Sequence, residues 1–294
     1  MQKTLASTNA PLVGGLVFLH GVALVALPLQ LLNSPGWAPA ILLLVPLSVV
    51  HWGLIHEGIH KLLHDDAAIN ERQSRALGVL MGASFHVLRF GHLMHHKLNR
   101  DWHSERMHGT GLRDKAAYYC NLFFGLYLGE VVTSLMFTFL PRRAFMRIAN
   151  ATFLRDYPEV AVAGERFFFE RAHARHVRQD MLATLALYGA SAWLYGPYAG
   201  WLAAFIVGRA VVISFLDNIY HYETPSDNSR AGKELVLSPR WSKLLLHSNY
   251  HETHHLNPTV PWHALPATHR AQGRAFDGPW LAHAAMQLRP PAVA

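Results

Sequence analysis

Two long apolar runs near the N-terminus constrain what this chain can fold into. Residues 11–32 contain one ionisable side chain, His20, and residues 37–55 contain one, His51. A helix needs about 20 apolar residues to cross the hydrocarbon core of a bilayer. Buried helices of a soluble protein are the alternative, but only 15% of the residues are charged, whereas soluble domains carry about a quarter. The sequence therefore predicts an all-α integral membrane protein.

The positive charges indicate how the chain is oriented. Of the 26 lysines and arginines, nine lie in 61–116, eight in 141–180 and seven in 220–294. The short links at 33–36 and 196–197 carry none. Cytoplasmic segments of membrane proteins are enriched in Lys and Arg, so we expect the three basic segments on the cytoplasmic side. The formal charge of +7 thus reports topology and argues against a nucleic-acid partner.

These features predict a single domain, residues 1–294, of about four transmembrane helices in two hairpins with a cytoplasmic helical cap. The spans are expected near 11–32, 37–60, 178–196 and 198–220, and the cap in 61–116, 141–177 and 221–294. The apolar stretch at 118–140 could also cross, but one crossing would put the arginines of 141–180 on the far side. We therefore predict a re-entrant or interfacial helix there. Arg209, inside the last span, should face the bundle or pair with a carboxylate.

Eight histidines fall into three clusters with helical spacing. The clusters are His56-Glu57-Gly58-Ile59-His60, His92-Leu93-Met94-His95-His96 and His251-Glu252-Thr253-His254-His255. Residues spaced i, i+3 and i+4 lie on one face of a helix. A tetrahedral zinc ion takes four ligands, so eight histidines exceed one ion and predict a two-metal site. Cys120 is the only cysteine, which leaves nitrogen and oxygen ligands, and imidazole suits zinc, copper, iron and nickel.

Four further residues are candidate partners of that site. His221 follows the last predicted span at the same edge of the membrane and is a candidate ninth ligand. Asp217 lies one turn before it, where an acidic residue is either functional or simply hydrated. Glu57 and Asn249 stand beside the clusters and could orient imidazoles by hydrogen bonds. The other histidines lack clustered spacing and are predicted to be structural, solvated or supporting: His20, His51, His64, His86, His103, His108, His173, His176, His247, His263, His269 and His283.

The three clusters, in this order, resemble the histidine boxes of the membrane fatty acid desaturase and hydroxylase superfamily. The last box continues as Leu256-Asn257-Pro258 and Val260-Pro261-Trp262-His263-Ala264-Leu265-Pro266, which is similar to the family's usual ending. The resemblance covers about residues 40–266. It implies two iron ions, O2 as co-substrate and removal of hydrogen from an unactivated C–H bond. It also implies that His221 completes the ligand set, although this chain has Asp217 where some relatives have Asn.

The resemblance also implies partners and a location. The substrate is expected to be a lipid or another apolar long-chain molecule, and the leading expectation is fatty acyl or lipid desaturation. Electrons are expected from a separate ferredoxin or cytochrome-type donor, because little chain remains outside the boxes. Arg142, Arg143 and Arg147 offer a basic surface for that donor, or serve only to fix topology. The expected location is the bacterial cytoplasmic membrane, with the metal site on the cytoplasmic face.

Three other functions stay open at the level of sequence. A carotenoid ketolase or hydroxylase of the same superfamily has a similar final box and Pro-Trp ending. An alkane or fatty acid hydroxylase is less favoured. The same ligands serve hydroxylation and desaturation, so they do not decide between these two reactions. A histidine-rich metal transporter belongs to a different class and predicts ligands inside the spans, near the midplane. The clusters of this chain are predicted at the ends of spans, which favours the enzyme.

Overall fold

A computed structural model describes residues 4–98, 111–152, 158–225, 228 and 230–290. The predictions for His103 and His108 therefore lie outside the described residues. The described chain is almost entirely helical, and its one sheet pairs two strands of two residues. The all-α prediction is confirmed at this level.

The first two helical segments form a hairpin. Helix α1 runs from Leu5 to Gln30, with a π turn at Val22–Ala26 just before Pro28, which has no N–H to donate. It begins six residues before the predicted span, because Thr4 caps it and the Asp65 carboxylate accepts a bond from the Ala6 N–H at 3.0 Å. A 3-10 helix, Pro35–Leu44, then leads into α2, Ser48–Ile59, across a bend of 44°.

Helices α3, Ala67–Met81, and α4, Phe85–Leu98, form a sharply bent pair. Asp66 caps the start of α3, since its carboxylate accepts a bond from the Ile69 N–H at 2.8 Å. Gly82 ends the helix with φ of 98°, a value that glycine adopts without a steric cost. The chain then turns through 98° into α4. This pair falls in the predicted cap, 61–116, but as a whole it is apolar and long enough to be a broken span or a re-entrant segment.

The end of α3 lies beside Arg209, in the middle of α9 (Ala199–Ile219). The Arg209 Nη1 donates to the carbonyls of Leu80 and Met81, both at 2.9 Å. The hydroxyl groups of Tyr188 and Tyr127 donate to the same two carbonyls at 2.7 Å. The last carbonyls of a helix lack partners within it, and inside a bilayer the protein must supply them. Arg209 faces the bundle as predicted, but its described partners are carbonyls, Tyr188 and His20 rather than a carboxylate.

Helix α5, Leu112–Phe139, is continuous through a π turn at Asn121–Gly125. Near its start, Phe123 stacks on Phe215, close to the end of α9. Near its end, Phe137 lies under Arg178, close to the start of α8 (Arg171–Tyr195). Helices α8 and α9 form a hairpin, so these two ends lie at the same side of it. The interfacial or re-entrant orientation of 118–140 stays a prediction, and Leu112–Phe139 is also long and apolar enough to cross.

The remaining elements complete the helical bundle and its cap. Two amphipathic helices follow α5: α6, Arg142–Ala151, and α7, Pro158–Phe169. Helices α8 and α9 are joined by a 3-10 turn at Gly196–Tyr198, where Gly196 has φ of 52°. After α9 the chain forms β1 (Leu235–Val236), α10 (Pro239–Leu244), α11 (His251–Leu256), a 3-10 turn (Trp262–Ala264), α12 (Leu265–Ala271), β2 (Gly278–Pro279) and α13 (Trp280–Met286). Strands β1 and β2 pair in parallel.

Large apolar side chains on the outside of the bundle fit a lipid environment. Phe18 on α1 is 69% exposed and Trp193 on α8 is 81% exposed. Among the residues that the structure describes, three helical stretches are long and apolar enough to cross a membrane: Leu5–Gln30, Leu112–Phe139 and Arg171–Ile219. The number rises to as many as five if each bent pair counts as one span. The prediction of about four spans falls in this range, and the pairing of spans into a fixed topology stays a prediction.

Candidate metal centre

Four separate parts of the chain bring the nine predicted histidines together. The first pair lies at the end of α2, the second cluster on α4, His221 just after α9, and the third cluster on α11. On α4 and α11 the i, i+3, i+4 spacing places three imidazoles on the face turned toward the other elements. The nine side chains gather into two groups that share α4 and α11.

The first group contains five imidazoles: His56, His60, His92, His96 and His254. The Nε2 of His92 lies 3.0 Å from that of His60 and 3.0 Å from that of His96. The Nε2 of His96 lies 3.1 Å from that of His254. One ring nitrogen from each of the five residues lies within 4.8 Å of the others, so the group converges on a single point.

The second group contains four buried imidazoles: His95, His221, His251 and His255. The Nε2 of His251 lies 2.7 Å from that of His221 and 3.1 Å from that of His255. The Nε2 of His255 lies 3.2 Å from that of His95. His221 was predicted from its place after the last span, and the structure puts it in this group.

The donor set fits two imidazole-bound metal ions. Nitrogen ligands about 2.1 Å from one ion lie roughly 3.0–3.4 Å apart. The spacings given above fall in this range, except the shorter 2.7 Å between His251 and His221. Metal binding needs neutral imidazoles. Burial, followed by the neighbouring imidazoles, lowers the pKa of His251 and His254 well below the ordinary value. These two ligand candidates are therefore neutral at pH 7.

A comparison with known families agrees with this geometry. The model of the family described as fatty acid desaturase matches residues 35–283, which span all three clusters and His221. The chain belongs to the fatty acid desaturase family. A search of curated proteins finds no match for it. Membership of this family implies that the protein is an oxidoreductase that oxidises lipids. Together with the apolar helices, it indicates an integral membrane protein.

A largely apolar cavity of this family member opens beside the histidines. It encloses about 740 Å³ of space, its mouth included, between α2, α9 and the segment before α11. His56, His92 and His254 of the first group and His251 of the second line it. The remaining wall is mostly aliphatic and aromatic. An apolar molecule in this space would therefore contact imidazoles of both groups.

Asp217 and Glu57 line the same cavity. Asp217 accepts a hydrogen bond from the Trp52 side chain and lies one helical turn before His221. The Glu57 carboxylate accepts a bond from the Trp262 N–H at 3.2 Å, while its other oxygen is 4.0 Å from the His56 Nδ1. That separation exceeds a hydrogen bond. Glu57 therefore ties α2 to the segment after the third cluster rather than orienting His56.

Asn249 also acts on the backbone near the site. Its amide donates to the Leu235 carbonyl at 2.9 Å and accepts from the Ser242 hydroxyl at 2.6 Å. These bonds fix the turn that leads into α11. In the described structure the Asn249 side chain bonds to Ser242 and Leu235, and a role for it in orienting an imidazole stays a prediction.

Sequence reasoning missed Glu234, which holds α11 in place. This carboxylate is 1% exposed, and one oxygen accepts bonds from both the N–H and the hydroxyl of Thr253, each at 2.5 Å. Burial raises its pKa, and the bonds from Thr253 oppose that rise. Thr253 stands between His251 and His254, so Glu234 fixes the helix that carries three imidazoles. Glu234 precedes the cluster by 17 residues and belongs to no spaced motif, so no pattern marks it.

Proposed function

We propose that this protein is an O2-dependent lipid desaturase whose nine histidines hold two iron ions. Iron in such a site supplies O2 activation and the redox chemistry that breaks an unactivated C–H bond. The overall change converts –CH2–CH2– into –CH=CH–. It takes one O2, two electrons and two protons from solution, and it yields two molecules of water. Of the four hydrogens in the two water molecules, two come from the substrate and two are the protons from solution.

One observation carries the proposal: two groups of converging imidazoles share a wall with a mostly apolar cavity. Nine imidazole nitrogen donors exceed what one ion can use. A cavity whose wall is mostly aliphatic and aromatic suits a hydrocarbon chain, which binds by burial of apolar surface. The family match limits the chemistry to oxidation of lipids. Together these support oxidation of a methylene held beside the imidazoles.

The chain's own residues would position the substrate. Leu246 and Ile213 lie on the aliphatic wall, and Trp52 and Trp262 add aromatic surface. Gly53 leaves room that a side chain would remove, because a Cβ there would meet the Leu246 Cδ1 at 2.8 Å. The cavity wall would exclude bulk water and hold the chain near the His56 and His254 imidazoles. Asp217 and Ser248 are the polar groups placed to hold a water or a proton there.

Electrons would come from a separate ferredoxin or cytochrome-type donor, and the site would face the cytoplasm. Support comes from the basic segments that flank the histidine clusters. Arg143 and Arg147 on α6 are exposed, and Arg142 pairs with Glu165 at 2.7 Å. An acidic donor would be attracted to this surface, and its binding would weaken with added salt.

The proposal is tested by expression in cells with a defined lipid pool, followed by mass analysis of lipids and pigments. We expect an O2-dependent loss of two hydrogens from acyl chains. The matched control is the His254→Ala variant, which should leave the lipids unchanged. Acyl chains that gain an oxygen atom would show that the protein is a hydroxylase and not a desaturase. Carotenoids that gain oxygen would identify it as a carotenoid ketolase or hydroxylase. A protein purified without O2 that contained zinc and no iron would contradict the iron assignment.

A further inference from the structure

A third convergence of ligand atoms lies outside the two histidine groups. It contains Glu71 on α3, His86 on α4 and His176 on α8. His86 stands six residues before His92, which is about 9 Å along the axis of α4. The sequence pattern had placed His86 and His176 among the structural histidines. We propose that these three residues form a separate site for a divalent transition metal of the zinc type.

The distances match those around a single ion. The His86 Nε2 lies 3.0 Å from the Glu71 Oε1 and 3.2 Å from the His176 Nδ1, and the last two atoms are 4.0 Å apart. A triangle with these sides has a point about 2.0 Å from all three corners, which is the usual length of zinc–nitrogen and zinc–oxygen bonds. Two imidazoles and one carboxylate are a known ligand set for zinc, with a fourth position left for water.

Hydrogen bonds alone explain the arrangement poorly. The His86 Nε2 carries at most one proton, yet the Glu71 oxygen and the His176 nitrogen both approach it. If that proton goes to Glu71, the His176 Nδ1 faces an atom that cannot accept from it. A cation bound to all three lone pairs removes this conflict. The same short nitrogen–nitrogen spacing marks the two histidine groups.

The surrounding structure holds the three ligands rigidly and leaves them accessible. One turn further along α3 and α8, Arg75 pairs with Asp180 at 2.6 Å and fixes the register of the two helices. That pair also offsets the charge of Arg75, which lies near His176. The His86 side chain is buried, whereas those of Glu71 and His176 are 31% and 23% exposed. An ion could therefore enter past Glu71 and His176 and join α3, α4 and α8.

The test counts zinc in the full-length protein, purified in detergent, stripped of metal and reloaded with zinc alone. Zinc is a suitable probe because it binds imidazole without redox chemistry. We expect three zinc ions per chain in the wild type and two in the Glu71→Gln and His86→Ala variants. Loss of one ligand should weaken zinc at this site by at least about 100-fold. Glu165→Gln, at an exposed ion pair on α7, is the matched control and should keep three.

Two results would overturn the proposal: a wild type that saturates at two zinc ions, or variants that still bind three. Should His86→Ala fail to fold, Glu71→Gln decides alone, because it keeps the size of a half-exposed side chain. Zinc counting involves no turnover, so this result stands apart from the fate of the desaturase proposal.

Discussion

At the scale of single residues, the site depends on imidazoles that stay neutral and close together. His254 belongs to the first group of five histidines and lines the cavity. Its Nε2 lies 3.1 Å from the Nε2 of His96. Its side chain is buried, so loss of the ring leaves a gap that the remaining four cannot fill. No other residue of the first group lies on α11.

The His254→Ala variant should lose iron and lipid oxidation together. Removing one ligand of a converged group should lower iron affinity by at least about 100-fold. Metal analysis and lipid mass analysis on the same preparation measure both effects. His263→Ala, at an exposed histidine of the same region, is the control and should retain metal and activity. Full activity in His254→Ala would remove this residue from the ligand set.

The metal-free protein should become less stable as the pH falls below 6.5. His251 and His254 have lowered pKa values in the folded state, so between pH 6.5 and those values only the unfolded chain takes up protons. Stability then rises with pH in this window and levels off above it. Each such histidine contributes a slope of up to about 1.4 kcal/mol per pH unit. Denaturant unfolding of the stripped protein at pH 5 and 7 measures this; equal stabilities would contradict it.

At the scale of elements, two polar contacts fix the helices that carry the histidines. Arg209 holds the carbonyl end of α3 at the bend that starts α4. Glu234 holds α11 through Thr253. Both groups are buried, and each satisfies backbone atoms that water cannot reach. Neither residue contacts substrate space, so both are positioning residues.

Replacement of Arg209 by Met should destabilise the whole bundle. The Leu80 and Met81 carbonyls would each keep a tyrosine donor but lose a charged one, and a hydrogen bond to a charged group contributes about 1.5–3 kcal/mol. We expect a loss of about 2–5 kcal/mol, measured by unfolding in detergent. Arg178→Met, at an exposed arginine, is the control and should change stability by less than about 0.5 kcal/mol. If the free energy of unfolding of Arg209→Met equalled that of the wild type, the bend between α3 and α4 would not depend on Arg209.

Replacement of Glu234 by Ala should loosen α11 and lower metal retention. Two hydrogen bonds to Thr253 disappear, each about 1.5–3 kcal/mol for a charged acceptor. We expect faster loss of iron to a chelator and weaker protection of the His251–Leu256 amides from hydrogen exchange. Glu165→Ala, at an exposed ion pair, serves as the comparison. Identical chelation rates in the two variants would show that α11 is fixed by other contacts.

At the scale of the whole molecule, local spacing predicted what helices place on one face. The eight clustered histidines and His221 come together as expected, because each cluster needs only a short helix and a position near a helix end. The position of the end of α3 inside the bundle was not predictable. It depends on a hydrogen bond between Arg209 and the Met81 carbonyl, which are 128 residues apart in the sequence. Glu234 was missed for the same reason: its partner is fixed by tertiary structure. The charge pattern at 141–180 predicts that 118–140 does not simply cross the membrane. This stays a prediction, since Leu112–Phe139 is also long and apolar enough to cross.

The central claim is that iron in the nine-histidine centre performs O2-dependent oxidation of lipid. The most direct measurement strips the purified protein of metal, reloads it with ferrous iron or with zinc, and supplies a chemical reductant, O2 and host membrane lipids. Mass analysis then records the products. We predict acyl chains lighter by two hydrogens with iron and none with zinc. Equal product from the zinc-loaded or the metal-free protein would contradict the account.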